Sequence, residues 1–251
     1  MPPVAAIDRA LRPLSLLALL LLWQLAASAA PAATLPPPLA VGARLWVYTA
    51  SGELPYHLGV TLARVAASFA LALTLGTALG IALGAWPRLD RCCDAWLVVG
   101  LNIPALVTVI LCYLWFGLND VAAVLAVALN KIPTVVVTVR EGARAADRAL
   151  LDMARAFRLP RLRTFARVYL PQLYPYVFAA ARGGLALIWK IVLVVELLGR
   201  SSGVGYQLSL LFQLFDIAGI LAYTLAFAGV VLVVEGALLR PLERRLLGWR
   251  R

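Results

Sequence analysis

Residues 140–171 read REGARAADRALLDMARAFRLPRLRTFARVYLP, the one long polar run in a chain otherwise composed for lipid. Within it Leu150, Met153, Ala154 and Phe157 follow the i, i+3, i+4, i+7 spacing of a single helical face, and Leu162, Phe165, Ala166 and Tyr169 repeat it. The pattern predicts two short amphipathic helices hinged near Pro160. Their apolar stripes need a surface to lie against. Arg144, Arg148, Arg155, Arg158, Arg161, Arg163 and Arg167 suit an acidic partner protein, or the anionic headgroups of a membrane if the helices lie flat on it. The residues alone leave both readings open.

On either side of this run the composition changes. The chain has 251 residues, 63% of them hydrophobic and only 14% charged, and a mean hydropathy of +0.90. That is too little polar surface to cover a soluble globule. A bilayer core about 30 Å thick needs roughly 20 apolar residues per helix. Runs of that length without apolar/polar alternation exclude a β-barrel. The expected fold is therefore all-α, a polytopic membrane protein with about six transmembrane helices, near residues 14–33, 58–86, 95–116, 121–139, 173–198 and 217–239. Residues 1–56 are read as an N-terminal transmembrane helix with an external linker, and 57–251 as the main transmembrane domain.

The net charge of +11 raises the question of nucleic acid, and the placement of the charges answers it. With a cytoplasmic N-terminus, only Arg44 and Arg200 fall outside, Arg64, Lys131, Arg182 and Lys190 fall within spans, and every other Lys and Arg is cytoplasmic. That bias orients a membrane protein and calls for no nucleic acid. The expected location is a bacterial plasma (inner) membrane, multi-pass, with both termini and the 140–171 loop cytoplasmic. Arg9 and Arg12 before an apolar run that ends in Ala27, Ser28 and Ala29 also resemble a cleavable signal peptide. The uncharged stretch continues past Ala33, which favours a retained first span.

Residues 39–48, with Trp46 and Tyr48, are expected as a short interfacial helix. Gly76, Gly80 and Gly84 recur every fourth residue, a face for close helix packing. Pro104, Pro133 and Pro175 should bend the spans that hold them. Cys92, Cys93 and Cys112 imply no disulfide framework, and His57 stands alone, so neither a metal nor another cofactor is expected. No Gly-x-x-x-x-Gly-Lys-Ser/Thr loop occurs, so any nucleotide belongs to a partner.

Ionised groups within a span cost about 2.5 to 3.5 kcal/mol on insertion scales unless paired or hydrated. Arg64 on the second span and Glu196 on the fifth should reach the same outer depth, and a structural ion pair between them is expected. Lys190 sits deeper, with no acidic residue at i±3 or i±4, and is the leading candidate for a translocation path, with Arg182 and Glu196 as further candidates. The same three charges also fit a self-sufficient secondary transporter or channel. An intramembrane enzyme lacks any nucleophile and base set.

Asp152, Met153 and Ala154, then Arg158, then Val168, Leu170 and Pro171 resemble the cytoplasmic Glu-Ala-Ala, Gly, Ile-x-Leu-Pro signature of the permease subunits of bacterial ABC importers, the nitrate, sulfonate and taurine type in particular. Arg158 departs from that pattern at the glycine position, and Pro160 is expected to supply the break there. The likeness continues through His57, Thr61, Leu62, Arg64 and Val65, then Ile103 and Pro104, then Trp115, Phe116 and Gly117. It resumes at Arg182, Trp189, Glu196 and Gly203 to Gly205. The resemblance implies a type I importer permease that performs no covalent chemistry. It also implies that the chain forms a homodimer on two cytoplasmic ATP-binding subunits and is served by an external substrate-binding protein. The coupling loop would be 140–171, with Phe157 beside the signature residues.

Overall fold

A computed structural model describes residues 3–31, 34–239 and 241, and of residues 3–10, 12, 13, 238 and 239 only the backbone. The described chain is helical throughout, in the order α1 (Pro3–Ala29), α2 (Pro38–Ala50), α3 (Glu53–Ala85), α4 (Pro87–Asn102), α5 (Ala105–Phe116) and α6 (Asp120–Arg144). It continues with α7 (Arg148–Ala156), α8 (Arg161–Thr164), α9 (Leu170–Gly199), α10 (Val204–Gln213) and α11 (Ile217–Val234). Five-residue π turns lie at Phe165–Tyr169 and Glu235–Leu239.

Among the described residues, four helices are long and apolar enough to cross a membrane, Glu53–Ala85, Asp120–Arg144, Arg161–Gly199 and Ile217–Ala237. The expected third span is not one rod. It is the pair α4 and α5, bent by 98°. Pro104 causes the break: it has no N–H to give, and it holds the preceding Ile103 extended, at φ −68° and ψ 122°. The described apolar part of the expected first span is Leu14–Ala29, shorter than the other spans. Its end at Ala33 and the basic residues Arg240, Arg244, Arg245, Arg250 and Arg251 lie outside the described residues.

The core sits where α3, α5, α6 and α9 meet, around Val65, Val109, Cys112, Val127, Ile188, Trp189 and Val192. Close approach of α3 to α6 depends on the glycine face. A Cβ on Gly76 would lie 2.6 Å from Val135 Cβ, one on Gly80 2.8 Å from Val139 Cβ, and one on Gly84 would collide with Ala143. Partners Val135, Val139 and Ala143 repeat the four-residue step on the facing helix, so their side chains seat in the glycine row of α3.

The short helix α2 fills the expected interfacial position, with Trp46 exposed. It is pinned to the start of α11 through Asp216, which lies 3.5 Å from Arg44 Nη2 and accepts from the Tyr48 hydroxyl at 3.5 Å. Burial first, and Asp216 second, push the Tyr48 phenol above its ordinary range. Helix α10 had no counterpart in the sequence reading. At ten residues it is too short to stand out as a span, and its position comes from tertiary contacts.

One further expectation is revised. The second amphipathic helix is not separate from the fifth span, because α8, the π turn and α9 run on as the single stretch Arg161–Gly199. The π turn absorbs the change from loop to span without a break. Pro175 lies inside α9 and Pro133 inside α6.

Candidate functional site

The bundle carries ionic clusters at both ends. At one end Glu196, on the last turns of α9, is wholly buried. Arg64 Nη1 donates to its Oε1 at 2.7 Å, the Thr61 hydroxyl lies 2.9 Å from both carboxylate oxygens, and the Gly205 N–H donates to Oε2 at 2.9 Å. These donors satisfy both carboxylate oxygens where no water reaches them. Arg64 is saturated in turn. Its Nε donates to Asp120 Oδ1 at 2.8 Å, Nη1 to the Ser202 carbonyl at 2.6 Å and Nη2 to Ser202 Oγ at 2.9 Å.

The segment 202–205 wraps this pair because its backbone is held on all sides. Val204 N–H donates to Thr61 Oγ1 at 2.8 Å, and Gly203 N–H to His57 Nδ1 at 3.0 Å. Gly203 has φ +108°, and a Cβ there would collide with the Glu196 carboxylate, so only glycine fits. His57 is 7% exposed, and its Nε2 lies 2.8 Å from the Gln207 amide nitrogen. No group of three or more His, Cys, Asp or Glu able to hold a metal occurs among the described residues.

At the other end, helix α7 stands out from the bundle. Ala154 is buried, while Met153 and Phe157 are 49% and 75% exposed. Asp152 is exposed and, among the described residues, paired with Arg155 alone, at 2.9 Å. The helix ends in a Schellman cap: Leu159 N–H donates to the Ala154 carbonyl at 3.0 Å, and Arg158 N–H to the Arg155 carbonyl at 2.9 Å. Arg158 has φ +52°. The arginine itself takes the left-handed turn, so the expectation that Pro160 would supply it instead is corrected. Pro160 follows and prevents α7 from continuing. Val168 lies in the π turn, and Leu170 and Pro171 open α9.

The three charges expected along one path are not gathered together. Glu196 belongs to the buried cage. Lys190 and Arg182 line a groove of about 460 Å³ between α9 and α11, walled by Trp189, Phe227 and Val231. Arg182 Nη2 lies 3.8 Å from Glu235 Oε1 across that groove.

Lys131, expected within a span but given no role there, is 3% exposed within α6 and packs its Cε near Gly184. Its place in an apolar run was the available signal. Of the cage segment, Gly203 to Gly205 were seen only as part of a resemblance and Ser202 not at all, since their contacts depend on the chain folding back across α3.

Comparison with known proteins gives this architecture a context. Residues 72–247 match the family described as binding-protein-dependent transport system inner membrane component. The chain is 32% identical over 219 residues to the aliphatic sulfonates transport permease protein SsuC of Bacillus subtilis, covering 87% of this chain and 79% of that one. It is 24% identical over 220 residues to the taurine transport system permease protein TauC of Escherichia coli, covering 86% and 80%. Among solved structures, the crystal structure of an amino acid ABC transporter with histidines shares the fold, with a TM-score of 0.59 and 20% identity over 80% of this chain and 97% of that one. The match over residues 72–247 and the 32% identity place this chain in the family of inner-membrane components of binding-protein-dependent transport systems, the permeases of ABC importers.

Proposed function

We propose that this chain is the permease subunit of an ATP-driven importer for a small anion of the sulfonate, taurine or nitrate kind. It works as a homodimer, with two ATP-binding subunits on the cytoplasmic face and a substrate-binding protein outside. Both termini and the 140–171 loop are cytoplasmic. The chain itself does no covalent chemistry. Hydrolysis on the partner subunits shifts α7, and the bundle alternates between outward- and inward-facing states.

The observation that carries this reading is the outward apolar face of α7. Met153 and Phe157 are exposed on a helix capped at both ends, by Asp147 at its start and by the Schellman turn at its end. Such a rigid amphipathic helix, ringed by arginines, suits a groove on a partner protein. The names of the relatives support the anionic cargo. So does the α9–α11 groove, where Lys190 adds positive charge beside the Arg182–Glu235 pair, between aromatic and aliphatic walls, a lining suited to an anion with an apolar portion.

The test is co-purification of the chain with its ATP-binding subunit, before and after Phe157→Glu and Asp152→Lys. Both positions are exposed, so the fold should survive while the complex is lost. Uptake into vesicles by the chain alone, without ATP, would overturn the reading. Lys190→Met should reduce uptake of the anion while leaving ATPase binding intact.

A further inference from the structure

A second cavity lies beneath α7, and nothing in the transport cycle described above uses it. It has a volume of about 470 Å³ and sits where the ends of α3 and α6, the start of α4 and the inner face of α7 converge. Arg144, Arg148 and Arg155 line it, with Tyr169 beside them and Leu83 and Leu151 on its apolar wall, and no Asp or Glu is among its lining residues.

The three guanidinium groups differ in how far their charge is already answered. Arg144 is held by Asp90 and by Glu141 Oε1 at 3.2 Å. Arg155 has only the exposed bridge to Asp152, a type of pair that contributes little. Arg148 makes no ion pair or hydrogen bond among the described residues. Like charges collected around one concavity repel, and an arginine fork is matched to the paired oxygens of a phosphate-type group.

The volume exceeds a bare tetrahedral ion, and the apolar wall offers room for the organic part that carries one. The cavity also lies at the foot of two spans, beside the exposed Trp86, the depth at which aromatic side chains meet headgroups.

We propose that this cavity binds a phosphate-type oxyanion, which ties α7 to the ends of α3 and α6. Two sources carry that chemistry: an anionic phospholipid of the inner leaflet, and a soluble phosphate in the cytoplasm. An occupied cavity would stiffen the seat of α7 and so tune how motion of the partner subunits reaches the spans.

The experiment uses the full chain in nanodiscs. Thermal midpoints are followed as phosphatidylglycerol is raised in a phosphatidylcholine background, and separately as inorganic phosphate is titrated in phosphatidylcholine alone. The variants are Arg148→Gln with Arg155→Gln, the milder Arg148→Gln alone, and a control of equal charge change outside the cavity, Arg161→Gln with Arg163→Gln.

A saturable rise with phosphatidylglycerol assigns the site to lipid, and one with inorganic phosphate to a soluble anion. In either case the half-saturation point should move at least tenfold (about 1.4 kcal/mol) in the cavity variants and stay in place in the control. A rise lost equally in the control, or no rise with either probe, overturns the proposal. Because no ATPase or uptake is measured, the result stands apart from the assignment of α7 as the coupling helix.

Discussion

At the end of the bundle that holds Glu196, one fully buried carboxylate is enclosed by Arg64, Thr61 and the 202–205 backbone. At the opposite end Asp90 shares Arg140, at 3.0 Å, and Arg144 with Asp94 and Glu141. There Asp90 is itself buried, but the side chains of Asp94 and Glu141 that share its arginines are 57% and 54% exposed. In the first cluster the Arg64–Glu196 pair is buried on both sides, with Asp120 exposed at its rim. The same residue types thus build a dry lock and a wet, redundant mesh. Removing a partner from a dry pair strands a charge in low dielectric. Removing one from the mesh leaves other ions and water to compensate. The dry end is suited to stay fixed, and the wet end, next to α7, to yield.

The comparison can be broken or sharpened by four substitutions. Arg64→Ala should have the largest effect, a loss of about 3 to 5 kcal/mol, because it leaves Glu196 buried without its cation. A drop in thermal midpoint no larger than that of a substitution at the other end would erase the distinction. Gly203→Ala should cost about 2 to 3 kcal/mol, since it combines an unfavourable φ with a collision against Glu196. An Ala variant as stable as the native chain would mean that segment 202–205 can leave the cage.

Asp94→Asn should cost only about 1 kcal/mol, and the cost should shrink further in high salt, since this side chain is 57% exposed. Titration of stability against sodium chloride measures this directly, and a salt-independent loss would recast the mesh as a second lock. Smallest is Arg158→Gly, expected to raise stability, and with it the midpoint, by up to about 1 kcal/mol of unfolding free energy by relieving a left-handed arginine. A fall instead would show that the Arg158 side chain is needed where it stands.

What could be read in advance follows from the range of the forces involved. The second, fourth, fifth and sixth spans were legible because lipid demands long apolar runs, and such runs are local. The common depth of Arg64 and Glu196 followed from the opposite directions of the second and fifth spans. The 98° break at Pro104 was half legible: the proline announces a bend, but neighbouring helices set its size. Helix α10 and the closing of 202–205 over Glu196 were not legible, because they arise from packing of segments far apart in sequence. Arg158 shows another limit. Two backbone hydrogen bonds and the following proline hold it in a turn that its own preference opposes.

The unbroken stretch Arg161–Gly199 has one more consequence. At about 1.5 Å per residue, its 39 residues reach roughly 58 Å, longer than the hydrocarbon layer it crosses. Its foot lies just past Pro160 and its tip carries Glu196. A tilt imposed at the foot would first meet the π turn at Phe165–Tyr169 and then Pro175, two places where the rod can flex before the strain reaches the lock at its tip.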